Sequence, residues 1–266
     1  MKNIELIAID LDGTLLDSSG VIPEENISVL QQAAEQGLAV TICTGRMFDS
    51  ARKFAVQLGV KAPIVCYNGA MVSELDGHII SHTPLEMEQA LKLLDYFRKR
   101  GSYVQSYVDD ELLIKNDSSP IYKAYHDHYR ITARTVGDEL YSPATPPTKI
   151  ISVSETPEEA SEVLGELRDI FGEQLYLTRS TPTFVEMMNR NVNKFLGIST
   201  VAAALGIAND RIMALGDGDN DEEMLAQVGF GVAMENAGAK AKAAADCIAP
   251  SNDEFGVAWA VKKFAL

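Results

Sequence analysis

Residues 4–16 read IELIAIDLDGTLL. A mostly apolar run leads into two aspartates, Asp10 and Asp12, and then into Gly-Thr. A short apolar run bounded by turn residues predicts a strand that is buried on both faces. Asp10 would then lie at the carboxyl end of that strand, where open parallel sheets bind their ligands. The two carboxylates would point the same way from an extended chain, so their mutual repulsion calls for a proton or a cation between them.

The same arrangement recurs along the chain. Apolar segments at residues 38–43, 63–67 and 211–215 each end at polar or glycine residues, namely Thr44, Asn68 and Gly216. Helical spacing of apolar residues follows the opening strand and the segment at residues 38–43, and precedes the segment at residues 211–215. We interpret the first three strands as three strand–helix units. This alternation predicts an α/β fold with a doubly wound, Rossmann-like parallel sheet, in which the polar strand ends meet at one edge.

The middle of the chain has a different pattern. Residues 85–189 contain a hairpin-like pair around positions 109–110, helical patterns, a proline-rich loop and further strands that follow loops rather than crossovers. This pattern favours an inserted α+β cap domain with a largely antiparallel sheet. The predicted domains are therefore a discontinuous core of residues 1–84 and 190–266 and a cap of residues 85–189.

Composition excludes some classes of partner. The chain has 266 residues, 46% of them hydrophobic, with 23 Lys and Arg against 38 Asp and Glu, a formal net charge of −15. Such a charge repels phosphate backbones, so a nucleic-acid partner is not expected. No apolar run approaches the roughly 18 residues of a membrane span, so no membrane partner is expected either. We expect a cytoplasmic protein that is a monomer or a small homo-oligomer.

A second acidic segment follows the strand predicted at residues 211–215. Residues 216–221 read GDGDND and contain Asp217 and Asp221. An EF-hand loop starting at Asp217 would need Gly at its sixth position and Glu at its twelfth, but Glu222 and Val228 stand there. A solvated acidic turn remains an alternative for such a run on its own. If these carboxylates meet Asp10 at one sheet edge, they need a cation, and oxygen ligands favour Mg²⁺.

Two further residues could neutralise or bind an anion. Thr44 follows a predicted strand and precedes a predicted helix, so its hydroxyl and the neighbouring N–H groups could bind a phosphate. A simple helix cap is the other interpretation of Thr44. Lys194 lies where the chain returns to the core, and its ammonium could neutralise a phosphoryl oxygen, although a lone lysine at a helix start is commonly solvated.

These segments resemble a known family. The order and spacing of Asp10-x-Asp12-Gly-Thr, Thr44-Gly45-Arg46, Lys194 and Gly216-Asp217-x-x-Asn220-Asp221 are similar to the four motifs of the haloacid dehalogenase superfamily. YNGA at residues 67–70 and GVAMENA at residues 231–237 further resemble its Cof-type branch of sugar-phosphate phosphatases with a large α/β cap. The resemblance covers nearly the whole chain and is strongest in the core segments.

The resemblance implies a chemistry for the core residues. Asp10 would be the nucleophile that becomes an aspartyl-phosphate, and Asp12 the general acid and then the general base. Mg²⁺ would be held by Asp10, the main-chain carbonyl of Asp12 and Asp217. The remaining implied roles are support of these ligands by Asn220 and Asp221, binding of the phosphoryl oxygens by Thr44 and Lys194, and contact with the substrate by Gly45, Arg46, Asn68, Lys149 and Arg179.

The chain departs from the family pattern at two positions. Phe195 follows the motif lysine where a glycine is usual, and Phe255 stands where an aspartate is usual. Neither change removes a catalytic group, but Phe195 could narrow the space beside the phosphate.

The sequence thus predicts a phosphoric monoester hydrolase. Its substrates would be small phosphorylated metabolites, with sugar phosphates as the favoured class, and its cofactor Mg²⁺. A phosphomutase of the same superfamily is an alternative, because such relatives share the Asp-x-Asp opening. A non-catalytic metabolite-binding module is another, although it would be expected to lack one of the catalytic carboxylates or the motif lysine.

Overall fold

A computed structural model describes residues 4–179 and 181–266 of the chain. The chain divides into two compact units, one of Met1–Ser81 with Asn193–Leu266 and one of His82–Val192. The domain boundaries predicted from the sequence, after residue 84 and before residue 190, differ from this division by three residues at each junction.

The strands are β1 (Leu6–Ile9), β2 (Ala39–Ile42), β3 (Ile64–Cys66), β4 (Met71–Ser73), β5 (Ile79–His82), β6 (Val104–Val108), β7 (Glu111–Ile114), β8 (Ala133–Thr135), β9 (Lys149–Val153), β10 (Leu175–Thr178), β11 (Phe184–Asn189), β12 (Ile212–Gly216), β13 (Phe230–Met234) and β14 (Cys247–Ala249). The helices are α1 (Glu24–Glu35), α2 (Phe48–Leu58), α3 (Met87–Arg100), α4 (Pro120–Tyr129), α5 (Pro157–Phe171), α6 (Lys194–Leu205), α7 (Glu222–Gln227), α8 (Ala239–Ala244) and α9 (Gly256–Phe264). None of the helices in the described part of the chain has the length and apolar character that crossing a lipid bilayer requires.

The core unit is built on a parallel sheet with strand order β14-β13-β12-β1-β2. All of its neighbouring strands run parallel, and β1, between β12 and β2, is buried along its whole length. Ile9, the last residue of β1, pairs with Leu215 of β12 on one side and with Ile42 of β2 on the other. The residues that follow these three strands therefore emerge at the same edge. The predicted doubly wound parallel core is confirmed.

The segment after β3 differs from the predicted third strand–helix unit. A bridge between Cys43 and Val65 continues the core sheet to β3, but β3 then pairs antiparallel with β4 instead of entering a helix. The cause is local, because Tyr67, Asn68 and Gly69 have φ angles of 51°, 53° and 97°. Three successive left-handed residues reverse the chain, which returns as β4 beside the strand that it left.

The second unit has a sheet of order β10-β11-β9-β6-β7-β8, antiparallel except where β7 pairs with β8. One hydrophobic core joins its strands to α3 and α5, with Phe97, Leu167 and Met187 among its buried members. Asp109 and Asp110 form the turn between β6 and β7 with positive φ angles, as two-residue hairpin turns require. The predicted inserted α+β unit is confirmed in architecture.

Candidate active site

Three aspartates of the core unit lie together at the carboxyl edge of its parallel sheet. Asp10 follows β1, Asp217 follows β12, and Asp221 lies one turn later. One carboxylate oxygen of each lies within 4.8 Å of one from each of the others. Since β1 and β12 are paired in register, the two strand ends place Asp10 and Asp217 side by side. The structure thus brings these three predicted residues into one group, which we call the acidic cluster.

Lys194 lies inside this group. Its side chain has no exposed surface, and its ammonium Nζ donates hydrogen bonds to Oδ1 of Asp10 and Oδ1 of Asp221, both at 2.6 Å. The lysine is the first residue of α6, which begins there because the Asn193 side chain accepts the N–H of Leu196 at 2.8 Å. The alternative of a solvated surface lysine is therefore wrong for Lys194.

Hydrogen bonds fix the carboxylates of the second acidic segment. Oδ2 of Asp221 accepts the main-chain N–H groups of Asp217 at 3.0 Å and Gly218 at 2.9 Å. The Thr14 hydroxyl donates to Oδ1 of Asp217 at 2.8 Å. Gly13 lies so close to the Asp217 side chain that a Cβ atom at Gly13 would be 2.4 Å from Oδ2 of Asp217. Thr14 was not predicted as a site residue, although its place in the Asp-x-Asp-Gly-Thr motif was a signal for it.

Burial and charge shift the pKa values of the cluster. Burial raises the pKa of Asp10 well above its usual range, because it outweighs the positive charge of Lys194. Burial, with the charge of Asp221, raises the pKa of Asp217 to about 7. Burial alone would lower the pKa of Lys194, but the charges of Asp10 and Asp221 more than compensate and raise it. The lysine therefore stays protonated, and the carboxylates carry more negative charge than it can neutralise only when all of them are ionised.

The acidic cluster has the donor set of a site for a hard divalent cation. Its three carboxylates and one ammonium carry a formal net charge of −2, which one such cation would neutralise. Oxygen ligands suit Mg²⁺, Ca²⁺ or Mn²⁺ rather than softer metals. Asp221 already has both oxygens engaged, by Lys194 and by two N–H groups, so Asp10 and Asp217 are the better placed to offer oxygens to a metal.

The raised pKa of Asp217 makes stability depend on pH and on metal. Between the ordinary carboxyl pKa of 3.8 and the folded value of about 7, the folded state holds a proton that the unfolded state has lost. The contribution of Asp217 to stability therefore falls as pH rises through this window. In chelator, we expect Asp217→Asn to melt higher than the unsubstituted protein at pH 8. This advantage should be clearly smaller at pH 5 and should vanish only below the ordinary carboxyl pKa of 3.8.

The same experiment with excess MgCl₂ provides the second half of the test. The unsubstituted protein should gain several degrees of Tm at pH 8 and little at pH 5, since protons compete with the cation. Asp217→Asn should gain much less at either pH. A difference in Tm between the two proteins that does not change with pH would contradict the raised pKa of Asp217 and its place among the repelling carboxylates.

Hydrogen bonds and close packing join the loops that follow β2, β3 and β12. Thr44 is buried, its hydroxyl oxygen accepts the N–H of Arg46 at 3.2 Å, and its carbonyl accepts the N–H of Asn68 at 3.0 Å. The Asn68 side chain is also fully buried, and its Oδ1 accepts a hydrogen bond from Asn220 at 2.9 Å. A Cβ atom at Gly45 would lie 2.9 Å from that same oxygen. The structure thus joins these four predicted residues, Thr44, Gly45, Asn68 and Asn220, into one packed set.

Gly69 allows the left-handed turn to pack against the start of α6. A Cβ atom at Gly69 would lie 2.1 Å from the carbonyl oxygen of Asn193, and its φ of 97° is unfavourable for other residues. We expect Gly69→Ala to lower the free energy of unfolding by about 3–5 kcal/mol, from overlap and backbone strain together. Gly77→Ala is the matched control, because Gly77 has a φ of 96° with nothing within 4 Å of its Cβ position.

Chemical denaturation of both variants separates the cost of steric overlap from the cost of backbone strain. Gly77→Ala should lose only about 1–2 kcal/mol, the cost of left-handed backbone in a residue with a side chain. Equal losses of unfolding free energy in the two variants would show that backbone strain alone causes them. The close contact between Gly69 and the carbonyl of Asn193 would then contribute nothing.

Asp12 and Arg46 form an ion pair beside the acidic cluster. Arg46 Nε donates to Oδ2 of Asp12 at 2.7 Å, and Nη2 donates to Oδ1 at 2.5 Å. The Asp12 side chain is 52% exposed, and that of Arg46 17%. The sequence predicted substrate contact for Arg46; the structure places its guanidinium group on the carboxylate of Asp12.

The predicted substrate contacts of the second unit are engaged within that unit. Lys149 Nζ donates to Oε2 of Glu186 at 3.2 Å, both side chains are buried, and the ammonium lies 5.1 Å from the centre of the Tyr107 ring. Arg179 donates to the hydroxyl of Ser161 at 3.2 Å and to the carbonyl of Pro182. Lys149 is therefore part of a buried ion pair on neighbouring strands.

The two phenylalanines that depart from the resembled pattern lie at helix starts. Phe195 is the second residue of α6 and is half-buried. Phe255 directly precedes α9 with a left-handed φ of 59° and is 41% exposed. Aspartate adopts this conformation more readily than phenylalanine does, so Phe255 brings backbone strain to this helix start.

Comparison with known proteins agrees with this geometry. The model of the family of haloacid dehalogenase-like hydrolases matches residues 7–261. The 5-amino-6-(5-phospho-D-ribitylamino)uracil phosphatase YcsE of Bacillus subtilis (strain 168) is 29% identical over 264 residues, which cover 99% of this chain and 97% of YcsE.

Solved structures show the same similarity. A haloacid dehalogenase-like hydrolase from Bacteroides thetaiotaomicron superposes with a TM-score of 0.87 at 28% identity, covering 98% of this chain and 99% of that one. The HAD subclass IIB sugar phosphatase BT4131 gives a TM-score of 0.86 at 25% identity, covering 98% of each chain. The predicted family and the predicted enzyme class, a phosphoric monoester hydrolase, are therefore confirmed. The chain belongs to the family of haloacid dehalogenase-like hydrolases.

Proposed function

We propose that the protein is a Mg²⁺-dependent phosphatase that hydrolyses small phosphorylated metabolites through an aspartyl-phosphate on Asp10. The observation that carries the proposal is the acidic cluster with Lys194 buried inside it. A carboxylate at a strand end, held beside an ammonium and two further carboxylates, combines a nucleophile with the charges that phosphoryl transfer needs.

Asp10 and Asp12 divide the covalent and the proton-transfer chemistry. An oxygen of Asp10 attacks phosphorus, and the ester P–O bond breaks with its electron pair on the leaving oxygen, which takes a proton from Asp12. Water then attacks the phosphorus of the aspartyl-phosphate and gives a proton to Asp12. The bond from phosphorus to Asp10 breaks with its electron pair on the carboxylate, which releases phosphate.

The other residues of the site bind and orient. Lys194 neutralises charge on Asp10 and on a phosphoryl oxygen, which the Thr44 hydroxyl also contacts. Asp10, Asp217 and the main-chain carbonyl of Asp12 would hold Mg²⁺, which supplies charge stabilisation to the transferring phosphoryl group when bound. Asp221, fixed by Lys194 and by two N–H groups, holds the metal-binding loop in place together with Asn220.

Phosphate esters of sugars or sugar alcohols are the substrates that we propose. Two relatives support this class, since BT4131 is named a sugar phosphatase and YcsE a phosphatase of a phosphorylated ribitylamino compound. Gly45, Arg46 and Asn68 are proposed to shape the site for the alcohol part. Lys149 and Arg179 are likewise kept as proposed contacts of the substrate. Asn68 and Lys149 are buried, so we propose that they act on the substrate indirectly, by positioning the side chains to which they are hydrogen-bonded, Asn220 and Glu186.

A screen of phosphorylated metabolites tests this function. The purified protein should release inorganic phosphate from sugar or sugar-alcohol phosphates, lose this activity in chelator and regain it with MgCl₂. Release from no member of the panel, or an unchanged rate in chelator, would contradict the proposal. Formation of an isomeric phosphate without free phosphate would identify a phosphomutase, and ligand-induced stabilisation without turnover would identify a binding module.

A further inference from the structure

Arg46 is bound on several sides. Its main-chain N–H donates to the Thr44 hydroxyl oxygen, and its carbonyl accepts the N–H of Tyr67 at 3.0 Å. Its guanidinium carbon lies 5.1 Å from the centre of the Phe54 ring, and Nη1 donates to Ser50 Oγ at 3.5 Å. Both of those contacts come from α2, a regular helix of the core unit. The guanidinium group is therefore held by the scaffold rather than by Asp12 alone.

Among the residues that the structure describes, no other side chain supports Asp12 in a comparable way. Its side chain is half-exposed and directly precedes Gly13, which has a left-handed φ of 78°. The paired N–H groups of Arg46 bind both of its oxygens, the planar two-bond arrangement that fixes a carboxylate in distance and in orientation. The position of the Asp12 carboxylate is thus set largely by Arg46.

We propose that Arg46 is a positioning residue for Asp12, and that it acts on protonation of the leaving group; this rests on the proposed function. Each carboxyl oxygen has two acceptor directions, and Arg46 occupies one on each. The other direction remains for the proton that Asp12 gives to the leaving oxygen and takes back from water. Without the paired bonds, the Asp12 side chain samples other rotamers, and fewer complexes reach the geometry for proton transfer.

The dependence on the leaving group distinguishes this role from others. 4-Nitrophenyl phosphate releases an acidic phenol that departs without a proton, whereas an alkyl phosphate releases an alkoxide that needs one. General acid catalysis contributes about 10²–10⁴-fold where it is needed. Attack by water on the aspartyl-phosphate is common to both substrates and also uses Asp12, so the comparison is made on release of the leaving group in the first turnover. We expect Arg46→Ala to lower this rate about 10- to 100-fold on the best alkyl phosphate and only a few-fold on 4-nitrophenyl phosphate, with KM changed less than this rate.

The experiment measures KM and the rate of leaving-group release in the first turnover on both substrates. It compares the unsubstituted protein, Arg46→Ala, Asp12→Asn and the double variant. If Arg46 acts through Asp12, the double variant should be no slower on the alkyl phosphate than Asp12→Asn. Arg52→Ala is the matched control, because Arg52 lies on α2 and donates to the carbonyl of Leu75. It should leave the ratio of the two rates unchanged.

Other outcomes would overturn the inference. Equal losses on both substrates would indicate a general structural role, a change confined to KM would indicate direct substrate binding, and additive losses in the double variant would separate Arg46 from Asp12. If Arg46→Ala does not fold, Arg46→Gln, which keeps one donor group, must show the same selective loss. Absence of phosphate release from either substrate by the unsubstituted protein would instead refute the proposed function.

Discussion

Asp10→Asn should reduce phosphate release by about 10⁴-fold or more, because an amide cannot form the aspartyl-phosphate through which we propose the reaction to pass. The substitution keeps the shape of the side chain and removes a buried carboxylate whose pKa burial raises, so the fold should persist. The measurement is kcat with 4-nitrophenyl phosphate and with the best metabolite of the screen, both at saturating MgCl₂.

The control for this prediction is Asp219→Asn. Asp219 lies in the same acidic segment, but its carboxylate pairs with Lys240 at 3.1 Å and is 47% exposed. Loss of that surface charge should change kcat less than about twofold and stability by less than about 0.5 kcal/mol. Turnover by Asp10→Asn at a rate close to that of Asp219→Asn would remove Asp10 from the role of nucleophile.

Lys194→Met should affect both activity and stability. The ammonium group has no exposed surface and neutralises two carboxylates at 2.6 Å each. Its removal leaves buried charges without a partner, which in general costs about 3–5 kcal/mol. We also expect kcat to fall about 10³-fold, because a donor to the nucleophile and to the phosphoryl group is lost.

Two further variants separate the effect of Lys194 on stability from its effect on activity. Lys240→Met removes a lysine that is 60% exposed and should change the free energy of unfolding by less than about 1 kcal/mol. Adding Asp221→Asn to Lys194→Met removes one of the unpaired charges, so it should recover part of the lost stability without recovering activity. Full activity in Lys194→Met would contradict the assignment of the lysine to the reaction centre.

The convergence of Asp10 and Asp217 could be predicted from the sequence because it follows from topology. Lys194 starts α6 and follows no strand of the parallel sheet, so only the family resemblance indicated its place in the site. Parallel strands joined by helices place their carboxyl ends at one edge, and a motif that follows each strand must arrive there. The same reasoning predicted a strand–helix unit after residue 67. It failed because three successive left-handed residues, a property of backbone torsion rather than of hydrophobic spacing, turned the chain into a hairpin.

Side-chain pairing was the part that the sequence did not reveal. Arg46 and Asp12 are 34 positions apart, and Lys149 and Glu186 are 37 apart. No local spacing rule pairs residues at such separations, so Arg46 and Lys149 were each interpreted alone as a possible contact of substrate. The hydrogen bond from Thr14 to Asp217 escaped for the same reason, since the motif shows that a threonine is present but not what it binds.

The proposed reaction requires that Asp10 takes the phosphoryl group. The direct measurement uses Asp12→Asn, in which loss of the base should slow attack by water, with 4-nitrophenyl phosphate, whose leaving group needs no acid. After mixing with MgCl₂ and an acid quench, peptide mass spectrometry locates any phosphate on the chain. We expect close to one phosphoryl group per molecule, on Asp10, and none when Asp10→Asn is added. A phosphoryl group on any other residue, or turnover of this variant with Asp10 never modified, would contradict the account.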